Sequence, residues 1–196
     1  MKTQGFPGSR SRLRAIGVAL AVIWVSSGLA HNSQEQPMTM VPGAAATIAE
    51  LIAASLEEAG FVRNGLSWYR YGAESIEMIN IQPAATQPGP YLNLGVYYYR
   101  YGQIDAPTMT DCHVDTALNM VLTTPQAFRE MELLNPTNDI PSEIRRTELM
   151  DLIRRYGIPW LAAMARFEAA RALLADNPEI AHVSARARAD LQPPRK

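Results

Sequence analysis

Apolar and polar positions divide the chain into a helical start, a strand-rich middle and a helical end. Residues 44–59 carry apolar side chains at helical spacing, and Gly60 stands where a glycine commonly ends a helix. Residues 91–100 alternate between two sets of side chains, which is typical of a strand. Two further strand-like runs, 66–71 and 75–82, are joined by a short turn. Because parallel strands need long crossovers, these short connections predict an antiparallel meander.

Helical spacing returns in the second half of the chain. Residues 125–134, 142–156 and 160–174 are each predicted to form a helix, whereas residues 112–122 fit either a strand or a short helix. The order of helix, meander and helices predicts an α+β fold with an N-terminal helix and an antiparallel β meander. The C-terminal helices are expected to pack on one sheet face, which leaves the other face for water or a partner.

The first thirty residues have the layout of a signal peptide: basic residues, a short apolar run, then small residues before a cleavage site ahead of His31. We therefore expect a secreted or periplasmic protein. Two alternatives remain open. Residues 15–30 would anchor the protein in a membrane if they were not cleaved. The protein would instead be cytoplasmic if translation began at Met38 or Met40.

The remaining residues are predicted to hold one domain, because 196 residues are enough for one core and few for two. Residues 31–43 are polar and contain proline, as in a linker. The single α+β domain is placed at residues 44–178. Residues 179–196 are rich in alanine and arginine and are predicted to form a flexible tail.

Composition narrows the classes of function. Hydrophobic residues make up 47% of the chain and charged residues 19%, which supports a packed core. All 19 acidic residues but only 14 of the 18 basic residues follow position 30, and this acidic body argues against a nucleic-acid partner. Cys112 is the single cysteine, so no intrachain disulfide and no cysteine-based zinc site can form. No known cofactor or metal motif occurs in the sequence, and no cofactor is expected.

Aromatic side chains concentrate in the predicted strands. The alternation of residues 91–100 places Tyr97 and Tyr99 opposite the core-facing residues, where they would be exposed. Tyrosine offers contact area and a hydroxyl group, which suits an interface. We therefore name Gln82, Asn93, Tyr97 and Tyr99 as candidate binding residues for an unidentified protein or peptide partner. The competing interpretation is that these aromatic residues pack against neighbouring strands.

The leading hypothesis is a non-enzymatic binding or interaction domain, for which a bacterial immunity-type role is one concrete form. The alternative is an enzyme of unfamiliar type, such as a hydrolase, that uses His113 with a nearby acid. Candidates for the acid are Asp111, Asp115 and residues 57–58. A Cys112–His113 nucleophile pair is not expected, because adjacent residues in a strand point to opposite faces. A structural role at the cell envelope is a third hypothesis.

Five short motifs follow one another in an order that resembles a known family. They are Gly60-Phe61, Trp68-Tyr69-Arg70, Ile79-Asn80-Ile81-Gln82, Asn93-Leu94-Gly95-Val96 and Pro159-Trp160-Leu161. Over roughly residues 44–175 the chain resembles the bacterial family described as domain of unknown function 4304. The resemblance implies the same α+β fold, and it brings no established activity to this chain.

Overall fold

Six α-helices and six β-strands lie within residues 43–85 and 87–192, which the computed structural model describes. The predicted export segment, residues 1–30, lies outside the described residues, as does the predicted linker 31–43 apart from Gly43. The helices are α1 (Ala44–Glu58), α2 (Thr124–Leu134), α3 (Ser142–Leu152), α4 (Ile158–Met164), α5 (Phe167–Asp176) and α6 (Ala185–Leu191). The strands are β1 (Val62–Asn64), β2 (Ser67–Tyr71), β3 (Ser75–Gln82), β4 (Tyr91–Tyr98), β5 (Val114–Ala117) and β6 (His182–Val183).

The six strands form one sheet in the order of the chain, and every neighbouring pair is antiparallel. Residues 112–122, which fit either a strand or a short helix in the sequence, contain the short strand β5. A 3-10 turn at Leu118–Val121 follows it. β6 returns to the sheet after four helices and pairs with β5. The predicted antiparallel meander is therefore confirmed, and β5 and β6 extend it.

Helix α1 ends at the glycine that the sequence indicates. Gly60 has a φ of +86°, a left-handed conformation that glycine adopts without steric penalty. Its N–H donates to the Glu57 carbonyl at 2.9 Å, and the Phe61 N–H donates to the Leu56 carbonyl at 3.1 Å. These two bonds form a Schellman motif, which turns the chain from α1 into β1 with both Leu56 and Phe61 buried.

The helices pack on one face of the sheet, as predicted. β4 presents Leu92, Leu94, Val96 and Tyr98 to this face, and each is at most 1% exposed. The Tyr98 hydroxyl also donates to the Met164 carbonyl at 2.6 Å, which ties the sheet to the end of α4. The helices contribute buried apolar side chains that include Ile48, Ile52, Leu133, Leu149, Leu161, Leu174 and Leu191.

Residues 99–112, here called the covering segment, pack on the second sheet face at one end. The Tyr69 hydroxyl donates to the Pro107 carbonyl at 3.1 Å, and the Tyr71 hydroxyl donates to the Asp105 carbonyl at 2.9 Å. The expectation of a wholly uncovered second face is therefore wrong at this end. Cys112 of the segment forms a buried cluster with side chains of the sheet, and Tyr99 and Met109 pack against this cluster. The sheet residues are Tyr69, Ile76, Met78 and Tyr97.

The absence of a side chain at Gly95 allows the covering segment to lie close to β4. A Cβ atom at this position would stand 2.6 Å from the Cys112 Sγ and 3.2 Å from the Met109 Cε. Such separations are strongly repulsive in a close-packed interior. Glycine in the middle of this strand therefore marks the place where another part of the chain approaches the sheet.

Residues 179–196 are predicted to form a flexible tail. As far as residue 192, the last one that the structure describes, they belong to the folded domain. β6 pairs with β5, and α6 follows it directly. Val183, Ala187 and Leu191 are at most 2% exposed and lie in the same core as α1. A two-residue strand and a short helix carry too little periodicity to be recognised in a sequence. The domain therefore extends beyond residue 178.

Helices α3 and α4 form one helical run through a π-helical turn at Ile153–Gly157. The sequence predicts separate helices at 142–156 and 160–174, but the break in the structure falls at residues 165–166, between α4 and α5. Pro159 does not end the run, because it stands in the first turn of α4. Within the described part of the chain, no helix has both the length and the apolar character needed to cross a membrane.

Candidate functional site

The structure separates the four predicted binding residues into two pairs. Gln82 is exposed and Asn93 is half-buried, and both lie on the second sheet face beyond the covering segment. Tyr97 is only 2% exposed and packs in the cluster beneath that segment. Tyr99 lies in a 3-10 turn after β4 and is half-buried against the same cluster. The expected exposure of Tyr97 is therefore wrong, and cross-strand packing accounts for its position.

Polar side chains occupy the uncovered end of the second face. Ser67, Asn80 and Asn93 stand side by side on β2, β3 and β4. Gln82 pairs with Tyr91 farther along β3 and β4. Asn80 donates to the Ser67 hydroxyl at 2.9 Å, and Asn93 donates to the Gln82 carbonyl oxygen at 2.8 Å. These five residues are here called the polar strip, and hydrogen bonds between its members hold four of them in place, all except Tyr91.

A hollow of about 320 Å³ separates the polar strip from the covering segment. Strip residues form one wall, and residues 108–110 form the other. The Thr108 hydroxyl and backbone N–H donate to the Asp111 carboxylate at 2.6 and 2.8 Å. The hydroxyl bond and, as the second cause, the backbone bond lower the pKa of Asp111 below its ordinary value. The two bonds also fix this end of the covering segment. The hollow is therefore polar on one side and rigid on the other.

A second cavity, of about 140 Å³, lies beside the polar strip and contains a buried carboxyl group. Glu130 is 3% exposed and has no hydrogen-bond partner within the described part of the chain. Burial raises the pKa of Glu130 to about 7. The Asn119 Oδ1 is also buried without a partner among the described residues. Tyr91 of the strip lines this Glu130 cavity, and so does Ala117, which pairs with Asn93.

His113 is surrounded by aromatic rings and is hydrogen-bonded to the backbone. Its Nδ1 accepts the Tyr98 backbone N–H at 3.0 Å, which leaves the ring proton on Nε2. The rings of Tyr97 and Tyr101 lie 4.6 Å from the imidazole, centroid to centroid. Burial, followed by the charge of Arg186, lowers the pKa of His113 to about 4. The imidazole is therefore neutral at pH 7.

Two of the acids considered as partners of His113 are engaged elsewhere. The Asp115 Oδ2 lies 2.8 Å from the His182 Nδ1 across β5 and β6, and Asp111 binds the Thr108 turn. No carboxylate is hydrogen-bonded to His113 within residues 43–85 and 87–192. Burial raises the pKa of the Cys112 thiol to about 12, so the thiol stays protonated. The acid–histidine pair that the enzyme alternative requires is therefore not formed among the described residues.

The described residues also provide no converging set of metal ligands. No group of three or more histidine, cysteine, aspartate or glutamate side chains among them is placed to hold a metal ion. Asp115 and His182 form a pair without a third such ligand in that part of the chain. The polar strip and the Glu130 cavity are therefore the two features with binding chemistry to explain.

Comparison with known families identifies the relatives of this chain. The family model described as Domain of unknown function (DUF4304) matches residues 52–163, which is more than half of the 196 residues. The chain belongs to the DUF4304 family. No curated protein and no solved structure matches it. The resemblance carried by the five sequence motifs is therefore confirmed.

Both features of interest lie inside the DUF4304 match. Residues 52–163 run from α1 into α4 and include the whole polar strip and every residue that lines the Glu130 cavity. Helices α5 and α6 and strand β6 follow the matched residues. The candidate site therefore belongs to the part of this DUF4304 domain that the family model covers.

Glu130 is the residue of this site that sequence reasoning missed. It stands three and four positions before Leu133 and Leu134, and side chains at these spacings share one face of a helix. A single acid on the buried face of α2 was the available signal. Arg145 helps to position the neighbouring wall, because it is 5% exposed and donates to the Asn135 carbonyl at 2.8 Å.

Proposed function

We propose that this DUF4304 domain is a binding domain that holds a protein or peptide partner on its polar strip. The observation that carries the proposal is the pair formed by Gln82 and Asn93. Their mutual hydrogen bond leaves the Gln82 Nε2 as a donor and the Asn93 Oδ1 as an acceptor, with no further partner for either in the described part of the chain. A donor beside an acceptor matches the carbonyl and N–H of a peptide group.

The surroundings of this amide pair suit a peptide better than a nucleic acid. The hollow next to the strip is bordered by Met109, which offers apolar contact for a side chain, and by two threonine residues. The body of the protein is acidic, which disfavours a polyanion. Tyr97 and Tyr99 pack at the covered end of the same sheet face, away from the strip, and in this proposal they support the covering segment. An immunity-type role, in which the domain neutralises a toxic partner, is one form of the proposal.

Secretion or periplasmic export also belongs to the proposal, and it rests on the composition of residues 1–30 alone. Export would place the polar strip outside the cytoplasm, so its partner would be an extracytoplasmic protein. Anchoring through residues 15–30 would place the domain on the membrane surface with the same strip available.

The proposal is tested by removing the amide pair while leaving the packed tyrosines intact. The double variant Gln82→Ala, Asn93→Ala and the wild type are compared in the recovery of cross-linked partners from the native cell envelope. Binding of the recovered partner is then measured with purified proteins. We expect at least tenfold weaker binding, since two lost hydrogen bonds contribute about 1 kcal/mol each.

The matched control for this experiment is Asp176→Ala at the end of α5, because Asp176 is exposed and lies outside both the strip and the cavity. It is expected to bind the partner as the wild type does. Unchanged binding by the double variant, or an equal loss in the control, would remove the polar strip as the binding surface.

A further inference from the structure

A carboxyl group on the buried face of a helix is costly unless something neutralises it. Nothing in the Glu130 cavity does so, because no arginine, lysine or histidine lines it. Two of the three side-chain amide donors of the lining are engaged with other groups. The Gln87 Nε2 donates to the Gly89 carbonyl at 3.1 Å, and the Asn135 Nδ2 donates to the Asn138 Oδ1 at 3.2 Å. The Glu130 carboxyl group therefore receives no hydrogen bond from these two amides.

The chemistry of the lining defines the complementary ligand. The Glu130 carboxyl group has no hydrogen-bond partner in the described part of the chain, and the Tyr91 hydroxyl can donate or accept. The Asn119 Oδ1 also lacks a partner there, but it is closed off from the cavity space. The rest of the lining is largely apolar. A group that satisfies such a site carries several N–H donors and a positive charge at the end of a short hydrocarbon chain. The apolar side chains of the lining are Pro88, Pro90, Leu92, Ala117, Met131 and Leu134.

We propose that the Glu130 cavity binds the cationic end of an alkylammonium or alkylguanidinium ligand. The Glu130 carboxylate accepts its N–H groups, and the apolar lining packs on its alkyl chain. A cavity of about 140 Å³ is close in size to one of roughly 150 Å³ that holds benzene in another protein. Four carbon atoms and one amine nitrogen therefore fit. The ligand is either a free amine or the side chain of a lysine or arginine, since both carry this chemistry.

The walls of the cavity are preformed, which favours binding because little ordering is needed. A Cβ atom on Gly89 would stand 2.7 Å from the Leu134 carbonyl oxygen, so the loop of residues 87–90 lies directly against the end of α2. Arg145 holds that end from the other side through the Asn135 carbonyl. This proposal does not rest on the proposed function, because the polar strip and the cavity use different acceptors.

The test is a titration of the full-length chain with n-butylamine and n-butylguanidine at pH 8, followed by NMR. We expect saturable binding with a dissociation constant in roughly the millimolar range, as suits five to eight heavy atoms. Glu130→Gln is expected to weaken binding at least tenfold while keeping the shape of the side chain. The matched control is Glu132→Gln, an exposed glutamate on the same helix, which should change the affinity less than twofold.

A second variant keeps the Glu130 carboxyl group and removes the space in the cavity. Ala117→Leu fills the cavity and should abolish amine binding, whereas Gln82→Ala in the polar strip should leave it intact. Nα-acetyl-lysine N-methylamide distinguishes the two sources of the cation. Binding at least as tight as that of butylamine assigns the cavity to a partner's side chain, and weaker binding assigns it to a free amine.

Three results would overturn the proposal. The first is the absence of saturable amine binding by the wild type. The second is equal affinity in Glu130→Gln and Glu132→Gln. The third is binding of neutral 1-butanol as tightly as butylamine, which would show that the carboxylate does not select a cation.

Discussion

Glu130 and His113 are buried titratable groups whose pKa values move in opposite directions. Burial raises the pKa of Glu130 from 4.5 to about 7 and lowers the pKa of His113 from 6.5 to about 4. Between pH 4.5 and 7 the folded state holds a proton on Glu130 that the unfolded chain has lost, so stability from this residue falls as pH rises. Between pH 6.5 and 4 the unfolded chain protonates His113 first, so stability from that residue falls as pH decreases. The two contributions oppose each other across pH 4.5–6.5.

Glu130→Gln should therefore change the pH dependence of unfolding in a defined way. Glutamine cannot ionise, so the variant loses the penalty for a buried charge and keeps the contribution of His113. The difference in the free energy of unfolding, variant minus wild type, should increase by about 3 kcal/mol between pH 5 and pH 8. This increase is the equivalent of the pKa shift of Glu130. Urea denaturation at several pH values measures the difference. A difference between the two proteins that does not vary with pH would contradict the prediction.

The control for this prediction is again Glu132→Gln, because Glu132 is exposed and forms a salt bridge with Arg129. Surface pairs of this kind contribute little to stability. The difference from wild type should therefore stay small across pH 5–8. A control slope as steep as that of Glu130→Gln would mean that the pH dependence does not report on burial.

At the scale of elements, the covering segment determines which part of the second sheet face can meet a partner. It closes the end that contains Tyr97 and leaves the polar strip uncovered. Gly95→Ala should disturb this arrangement, since its Cβ would stand 2.6 Å from the Cys112 Sγ. We expect a loss of about 1–3 kcal/mol in the free energy of unfolding, as for overpacked cores. Cys112 should also react faster with a thiol reagent, because the covering segment, to which it belongs, must shift away from β4.

Gly89→Ala is the matched control for the covering segment, because it creates a comparable clash elsewhere. Its Cβ would stand 2.7 Å from the Leu134 carbonyl oxygen, beside the Glu130 cavity. The variant should lose stability while Cys112 stays as protected as in the wild type. Equal thiol reactivity in the two variants would show that Cys112 reports on global unfolding and not on the covering segment.

The difference between β4 and the covering segment explains what could be predicted from the sequence. The alternation of residues 91–98 correctly assigns Leu94 to one sheet face and Tyr97 to the other, because side-chain direction has a period of two. The burial of Tyr97 depends on a loop without periodicity, so the pattern could not reveal it. The cavity around Glu130 could not be predicted for a related reason, because its walls include a loop and a 3-10 turn that are distant in sequence. Family membership was predictable because four of the five motifs lie within strands or helices, where a local pattern is readable from the sequence.

At the scale of the whole molecule, residues beyond the DUF4304 match complete the core. The match ends at residue 163, yet α5, β6 and α6 add buried side chains to the face on which α1 packs. The Ser184 N–H donates to the His113 carbonyl at 3.0 Å, which joins the C-terminal elements to the start of β5. β6 also covers the edge of β5, and an uncovered edge strand promotes association with other chains. The C-terminal elements therefore complete the core and cover part of the β5 edge.

Leu191→Ala measures the contribution of these C-terminal elements. Leu191 is fully buried in the main core, so the truncation should lower the free energy of unfolding by about 3 kcal/mol through lost burial and a cavity. Leu173→Ala is the matched control: it has the same chemistry on α5, but Leu173 is 37% exposed and should cost less than about 1 kcal/mol. Chemical denaturation of both variants gives the comparison. Small and equal losses of unfolding free energy in the two variants would contradict the prediction. They would mean that residues after 178 form a flexible tail and that the core is stable without them.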